Sequence, residues 1–386
     1  MIKLSATAAF GLESVVAREL KGLGFGGVEV DNGRLSFAGT ERDIAKCNLW
    51  LRCADRVLVE LARFPASDFE ELFQGVLKVP WGDILPRDAA VHVSGRSVRS
   101  KLSSVPACQS VVKKAIVEAL KRKYHAGTFP ETGPRFNVEI SLRRDIAIVD
   151  MDTTGPGLHR RGYRSGAGEA ALKETLAAGL VYLSRWKPGT TLADPFCGSG
   201  TIAIEAAMMG RNVAPGMGRR FASEEWPLIS SGTWEDARQE AVGLSNREEL
   251  HIMASDIDEG VIVKARRNAR HAGVLSAVTF GKGDFRDLSF ASPKGMVICN
   301  PPYGERSGDR KTAAEQAGEM GRLFGQFPAW SFFILTAFED FEKHYGRHAD
   351  RNRKLYNGRI QCYLYEYGSS KFRVPGQRTS QSLFGI

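Results

Sequence analysis

From residue 192 onward, short apolar runs alternate with longer amphipathic stretches, and this order leaves few folds open. The apolar runs end at Ala193, Ala254, Phe280, Cys299 and Ala337, and helical periodicity fills roughly 200–210, 259–272, 312–326 and 339–349. Strands joined through helices return parallel, and a parallel sheet must be covered on both faces. The last runs, 353–355 and 360–367, flank Asn357-Gly358, a hairpin turn signal that predicts one antiparallel strand at the end of an otherwise parallel α/β sheet.

The first 152 residues do not follow this rule. Residues 1–50 read as a small α/β unit with a hairpin at Asn32-Gly33, and residues 51–152 as a second α+β unit containing a long basic helix over 106–124. A Gly- and Arg-rich linker over 153–168 follows, then a helix over 169–186. Of the net charge of +9, residues 1–165 carry +6, with 25 Lys and Arg against 19 Asp and Glu. The excess gathers at Arg96, Arg99, Lys101, Lys113, Lys114, Lys121, Arg122 and Lys123, opposed nearby only by Glu118. Such a cluster suits a phosphate backbone, or is simply a solvated helix face. No apolar stretch approaches the roughly 18 residues a membrane span needs, and residues 1–11 lack a signal-peptide pattern. The six cysteines show no zinc-knuckle spacing, so free thiols in a reducing cytoplasm are expected and no metal is called for.

Two motifs carry chemistry. Asp194-Pro-Phe-Cys-Gly-Ser-Gly-Thr201 joins a strand to a helix, where ligands of open α/β sheets bind. Gly198 and Gly200 let backbone approach a ligand, and no Gly-Lys-Ser/Thr follows, so this is not a phosphate-binding Walker loop. Asp256 ends the next strand and can accept from ribose hydroxyls; Asp284 ends the third, with Phe285 beside it, and can accept from an adenine amine. Either aspartate alone also reads as a helix cap. Asn300-Pro-Pro-Tyr303 ends the fourth strand. Exocyclic amines are poor nucleophiles because the lone pair is delocalised into the ring. The Asn300 amide oxygen and the Pro301 carbonyl can both accept from such an amine and orient it, Pro302 fixes the turn, and Tyr303 offers a stacking face. Cys197 and Cys299 lie in these motifs, but neither has an adjacent base to make it a nucleophile.

With these residues, the chain over about 165–370 resembles the class I S-adenosyl-L-methionine-dependent methyltransferases. The resemblance implies a Rossmann-like, seven-stranded, mostly parallel sheet ending in an antiparallel hairpin. It also implies a cofactor site at Asp194, Pro195, Phe196, Gly198, Ser199, Gly200 and Thr201, then Asp256, Ile257, Asp284, Phe285 and Asn300, with catalysis by Asn300, Pro301, Pro302 and Tyr303. His159-Arg-Arg-Gly-Tyr-Arg164, Ala171-Leu-Lys-Glu-Thr-Leu-Ala177 and Ala214-Pro-Gly216 resemble the 23S rRNA guanine-N2 methyltransferases in a form with one methyltransferase domain. That family usually shows Ala-Pro-Leu where this chain has Ala170-Ala-Leu172. The family implies a ferredoxin-like domain over 1–50, an RNA-binding THUMP domain over 51–152 and a methyltransferase domain over 169–370, while the residues over 371–386 read by themselves as a loosely held basic tail. Its expected partner is 23S rRNA, with tRNA as the alternative, held by Arg96, Arg99, Lys101, Lys113, Lys114, Lys121, Arg122, Arg161 and Arg164. Adenine-amino methylation, and a non-catalytic ribosome-assembly factor, are the other readings.

Overall fold

The computed structural model describes residues 1–164, 172–302 and 309–368. The chain forms two compact units, residues 1–164 with 212–246, and residues 165–211 with 247–386.

In the first unit, strands β1 (Ile2–Ala8), β2 (Glu29–Asp31), β3 (Arg34–Gly39), β4 (Ala54–Pro65), β5 (Ala90–Val98), β6 (Arg135–Arg143) and β7 (Ile146–Asp152) make one sheet in the order β2-β3-β1-β4-β7-β6-β5. The sheet runs straight across the boundary expected at residue 50. Its link is β4, 12 residues long, which pairs antiparallel with β1 on one side and with β7 on the other. The β2–β3 turn places Asn32 (φ 46°) and Gly33 (φ 77°) in the left-handed region, as a two-residue hairpin requires.

Alternation gives this sheet two unlike faces. Leu4, Ala6, Leu35, Phe37, Val57, Val138, Ile140 and Val149 are buried on the face that the helices cover. The opposite face presents Lys3, Arg34, Glu60 and Asp150, which form one ion-pair network. Arg34 Nη2 donates to Asp150 Oδ1 at 2.7 Å and to Glu60 Oε2 at 3.1 Å, and Lys3 Nζ to Glu60 Oε1 at 3.0 Å. The helix Val105–Tyr124 has proline in its first turn and Lys121, Arg122 and Lys123 in its last, where cations suit the helix dipole. It buries Cys108, Val112, Ala115, Ile116 and Leu120.

Residues 212–246 lie inside the stretch expected to be methyltransferase, yet they pack with the first unit. Gly216 N donates to Leu49 O at 2.9 Å, the Trp226 ring stacks on Phe136 at 5.0 Å, and Trp226 Nε1 donates to Arg135 O at 3.1 Å. The segment also contains a helix, Ser231–Leu244, that sequence patterning did not single out.

The second unit holds β8 (Leu192–Asp194), β9 (Ile252–Asp256), β10 (Thr279–Lys282), β11 (Gly295–Cys299), β12 (Trp330–Thr336), β13 (Arg351–Asn357) and β14 (Ile360–Tyr367), in the order β10-β9-β8-β11-β12-β14-β13. The first five are parallel and β14 runs antiparallel to both its neighbours, the class I methyltransferase arrangement. The order reverses between β8 and β11, which is the switch point where such sheets bind ligands. The helix expected over 169–186 spans Glu174–Ser184 among the described residues. Arg185 adopts φ 61° and ends it, ahead of Lys187-Pro188. Residues 165–168 of the expected linker, and the expected tail over 371–386, lie outside the described residues.

The Arg34–Asp150 pair is buried, with side-chain exposures of 8% and 0%. Arg34→Met leaves Asp150 without its partner and should lower stability by about 3–5 kcal/mol in urea unfolding, whereas Arg34→Met combined with Asp150→Leu should recover most of that loss.

Candidate active site

The loop after β8 is held from three sides. Asp256, at the end of β9, accepts from Gly198 N through Oδ2 at 2.9 Å and from Asp258 N through Oδ1 at 3.1 Å. Cys197 N donates to Ser255 O at 3.0 Å. Asn268 Nδ2 donates to Ser199 O at 3.0 Å from the helix Glu259–His271. Asn268 was missed in the sequence, although it is visible there as a polar residue on the stripe of Ile262, Ala265 and Ala269.

The two glycines of the loop do different work. Gly198 (φ 50°) has nothing within 4 Å of where a Cβ would stand, so open space lies in front of it. Gly200 (φ 83°) precedes the helix Thr201–Gly210, and a Cβ there would meet Ala265 Cβ at 3.1 Å and Phe280 Cε1 at 3.2 Å. One keeps the front of the loop clear; the other lets helix and strand approach from behind. Pro195 is buried, and Ser199 Oγ and Thr201 Oγ1 lie 3.4 Å apart.

Asp194 is 1% exposed and accepts from Phe196 N at 3.2 Å. Burial lifts its carboxyl from the ordinary 3.8 to about 8, and the charge of Asp256 adds to the rise. Asp284 caps the short helix Phe285–Asp287 by accepting from Arg286 N at 2.9 Å and takes a second contact from Arg286 Nε at 3.2 Å. The cap reading of Asp284 is thus realised, with its side chain still 22% exposed. Phe285 is buried against Phe196 at 4.8 Å between ring centroids, and Ile257 is 63% exposed beyond Asp256.

Asn300 follows β11. The β8–β11 register sets Val297 opposite Ala193, so Ile298 lies level with Asp194 and Asn300 two residues beyond it at the switch point. The amide oxygen of Asn300 is buried and accepts no hydrogen bond among the described residues. A buried acceptor left without a donor costs about 1–3 kcal/mol unless water or a ligand supplies one. Pro301 is buried and Pro302 exposed; Tyr303 lies outside the described residues. Burial raises the thiols of Cys197 and Cys299 well above their ordinary range, which keeps both protonated and unsuited to attack. Among the described residues no cluster of His, Cys, Asp and Glu has the makings of a metal site, and no helix is long and apolar enough to cross a membrane.

The basic residues of the first unit do not form the unopposed cluster read from the sequence. Lys113 pairs with Glu131, Arg96 with Glu139 at 3.4 Å, Lys121 with Glu118 at 2.8 Å and Lys123 with Asp83 at 2.9 Å. Lys114 lies 5.7 Å from the Phe73 ring centroid. Arg99, Lys101 and Arg122 are exposed and carry no ion pair among the described residues. Arg161 requires a correction. It is 2% exposed, and its guanidinium donates to the carbonyls of Leu158 and Arg52, so it braces the chain internally and is closed to phosphate. Arg164 is half-buried.

The carboxyl of Asp194 generates a pH test. Between about pH 4 and pH 8 the folded chain keeps a proton there that the unfolded chain has released, so this group's contribution to stability falls as pH rises through that window. Thermal melts of the cofactor-free protein should show a smaller fall over this range for Asp194→Asn than for the wild type.

Comparison with known proteins agrees with this geometry. Residues 161–366 match the methyltransferase domain described as RMKL-like, residues 3–58 the RlmL ferredoxin-like domain, and residues 66–152 the THUMP domain. The RNA methyltransferase candidate YpsC of Bacillus subtilis (strain 168) is 44% identical over 382 residues, covering 98% of this chain and 99% of the relative. A solved structure from Listeria monocytogenes, described as a predicted N6-adenine-specific DNA methylase, is 45% identical with a TM-score of 0.90, covering 95% of this chain and 96% of that one. The candidate methyltransferase SMU.472, solved with SAH, is 45% identical with a TM-score of 0.89, covering 95% of this chain and 97% of that one. With a matched domain spanning more than half of its residues and a relative aligned almost end to end, the chain belongs to the RMKL-like methyltransferase family.

Proposed function

We propose that this chain methylates the exocyclic N2 amine of a guanine in 23S ribosomal RNA. The observation that carries the proposal is the buried amide oxygen of Asn300, without a hydrogen-bond donor among the described residues, at the β8–β11 switch point. An amine N–H is the donor that oxygen lacks. The Pro301 carbonyl takes the second N–H, and the two acceptors hold the nitrogen lone pair out of conjugation with the ring. Tyr303 is assigned the stacking face for the base.

The methyl donor is S-adenosyl-L-methionine, which supplies an electrophilic methyl carbon on a cationic sulfur. The residues present fit it. The open space before Gly198 leaves room for a ligand against the loop; Asp256 is assigned the ribose hydroxyls, and Asp284 and Ile257 the adenine. RNA as substrate is supported by the THUMP match and by the name of the B. subtilis relative. The same reading sets the reaction in the cytoplasm. The guanine and the 23S rRNA rest on family likeness. The description of the L. monocytogenes relative favours a second reading, an adenine amine in nucleic acid, which the same two acceptors would also serve.

Nucleoside mass spectrometry of rRNA and tRNA from a strain lacking the protein decides among these. Loss of N2-methylguanosine from 23S rRNA, restored by the purified protein, is expected; loss of a tRNA guanosine or of N6-methyladenosine instead would replace the assignment. Asn300→Ala should lower the methylation rate by at least about a hundredfold while cofactor affinity by calorimetry stays near wild type. Asp256→Ala should weaken cofactor binding directly.

A further inference from the structure

The polar face of the first unit's sheet contains a cleft of about 770 Å³ that the proposed activity does not use. Its floor comes from alternate residues of three paired strands. His92, Ser94 and Arg96 of β5 lie opposite Asn137, Glu139 and Ser141 of β6, and Asn137 lies opposite Asp152 of β7. Arg56 of β4 donates to Asp152 and to the Gly155 carbonyl at one end. The other wall is the segment Arg220, Phe221, Ala222 and Glu225, which comes from residues 212–246 and belongs to this same unit.

The groups in the cleft are of two kinds. Arg135 gives its Nε to Asn137 Oδ1 at 3.0 Å and carries no ion pair among the described residues. The Arg220 side chain is 75% exposed, and its one ion pair among the described residues is a 3.4 Å contact to Glu224. These two guanidinia keep donors to spare for a phosphate. Besides Asp152, which Arg56 already engages, the acceptors beside them are Glu225 and Glu139, the latter also 3.4 Å from Arg96. A carboxylate accepts only and repels phosphate, so a site for a bare anion has no use for either. The bond from Arg135 takes one lone pair of the Asn137 oxygen and leaves its NH₂ as a donor on the same strand face as Glu139. Donor beside acceptor is what the edge of a nucleobase requires, and flat guanidinia offer surfaces for a base to lie on. A paired base in an A-form duplex does not present its Watson–Crick edge, so the ligand has to be unpaired.

We propose that this cleft takes one unpaired nucleotide of an RNA strand, with Arg135 and Arg220 on its phosphate and Asn137 and Glu139 on its base. The proposal rests on RNA being the partner, and it locates recognition on the polar sheet face, away from the basic helix Val105–Tyr124, most of whose charges are already paired.

The test uses the full chain and fluorescence anisotropy. The probes are a labelled single-stranded oligoribonucleotide too short to fold and a blunt RNA duplex of the same length. Arg135→Ala with Arg220→Ala should weaken single-strand binding at least about tenfold and leave duplex binding little changed. Asn137→Leu alters no charge and should flatten the preference among adenine, guanine, cytosine and uracil homopolymers. Inorganic phosphate at millimolar concentration should fail to displace the strand. The proposal is overturned if the double variant binds the strand as tightly as wild type, if phosphate displaces it, or if Asn137→Leu leaves base preference intact. Cofactor affinity and melting temperature, measured on the same variants, should remain at wild-type values. Because the readout is binding without methyl transfer, failure of the Asn300 assignment leaves this result standing, and failure here leaves that assignment standing.

Discussion

The hydrogen bond from Gly198 N to the Asp256 carboxylate fixes the geometry on which the candidate site depends. It ties the loop after β8 to the end of β9, and a carboxylate accepting backbone N–H groups is held far more firmly than a neutral pair would be. Once that loop is set, the other pieces follow from the parallel sheet. Asp194, Asp256, Asp284 and Asn300 each come at the carboxyl end of a strand, in neighbouring positions across the sheet, because parallel strands all end at the same edge. An antiparallel sheet of the same residues would scatter them between two edges.

The first unit depends on a different constraint. A strand of 12 residues is long enough to pair with two partners over different parts of its length, and β4 does so with a shift in register between Glu60 and Ala62. That shift lets Glu60 stay on the polar face beside Arg34 while Ala62 joins the apolar one, where it pairs with Val149. The buried Arg34–Asp150 contact spans from β3 to β7, so it links the ferredoxin-like and THUMP parts through side chains as well as through the backbone. Replacing charges there with apolar groups is tolerable in pairs and costly singly.

What was legible in the sequence was local or periodic. The alternation after residue 192, the Asn32-Gly33 and Asn357-Gly358 turns, and the Asp194 and Asn300 motifs each announce themselves within a few residues. What was not legible joins residues far apart in the chain. Charge counting along the segment from Arg96 to Lys123 found one opposing carboxylate, whereas Glu131, Glu139 and Asp83 arrive from other elements. Arg161 looked like one more cation in a basic run, and only folding shows its donors turned onto the carbonyls of Leu158 and Arg52. The allegiance of residues 212–246 is of the same kind, since nothing in Trp226 itself says that its ring will lie on Phe136.

That allegiance has a consequence for how the chain is made. The first unit is written in two pieces, and the second piece emerges only after β8 and the helix Thr201–Gly210 have been synthesised. Phe136 and Leu49 therefore wait for Trp226 and Gly216 while part of the other unit is already outside the ribosome. Domains generally fold as units from the N-terminus onward, but here neither unit can finish first by simply preceding the other. A single cut at residue 164 would likewise strip one unit of a wall and leave Phe221, Trp226 and Trp234 on the other piece without the surfaces they bury against. Each unit is compact in itself, yet the two are interleaved in time.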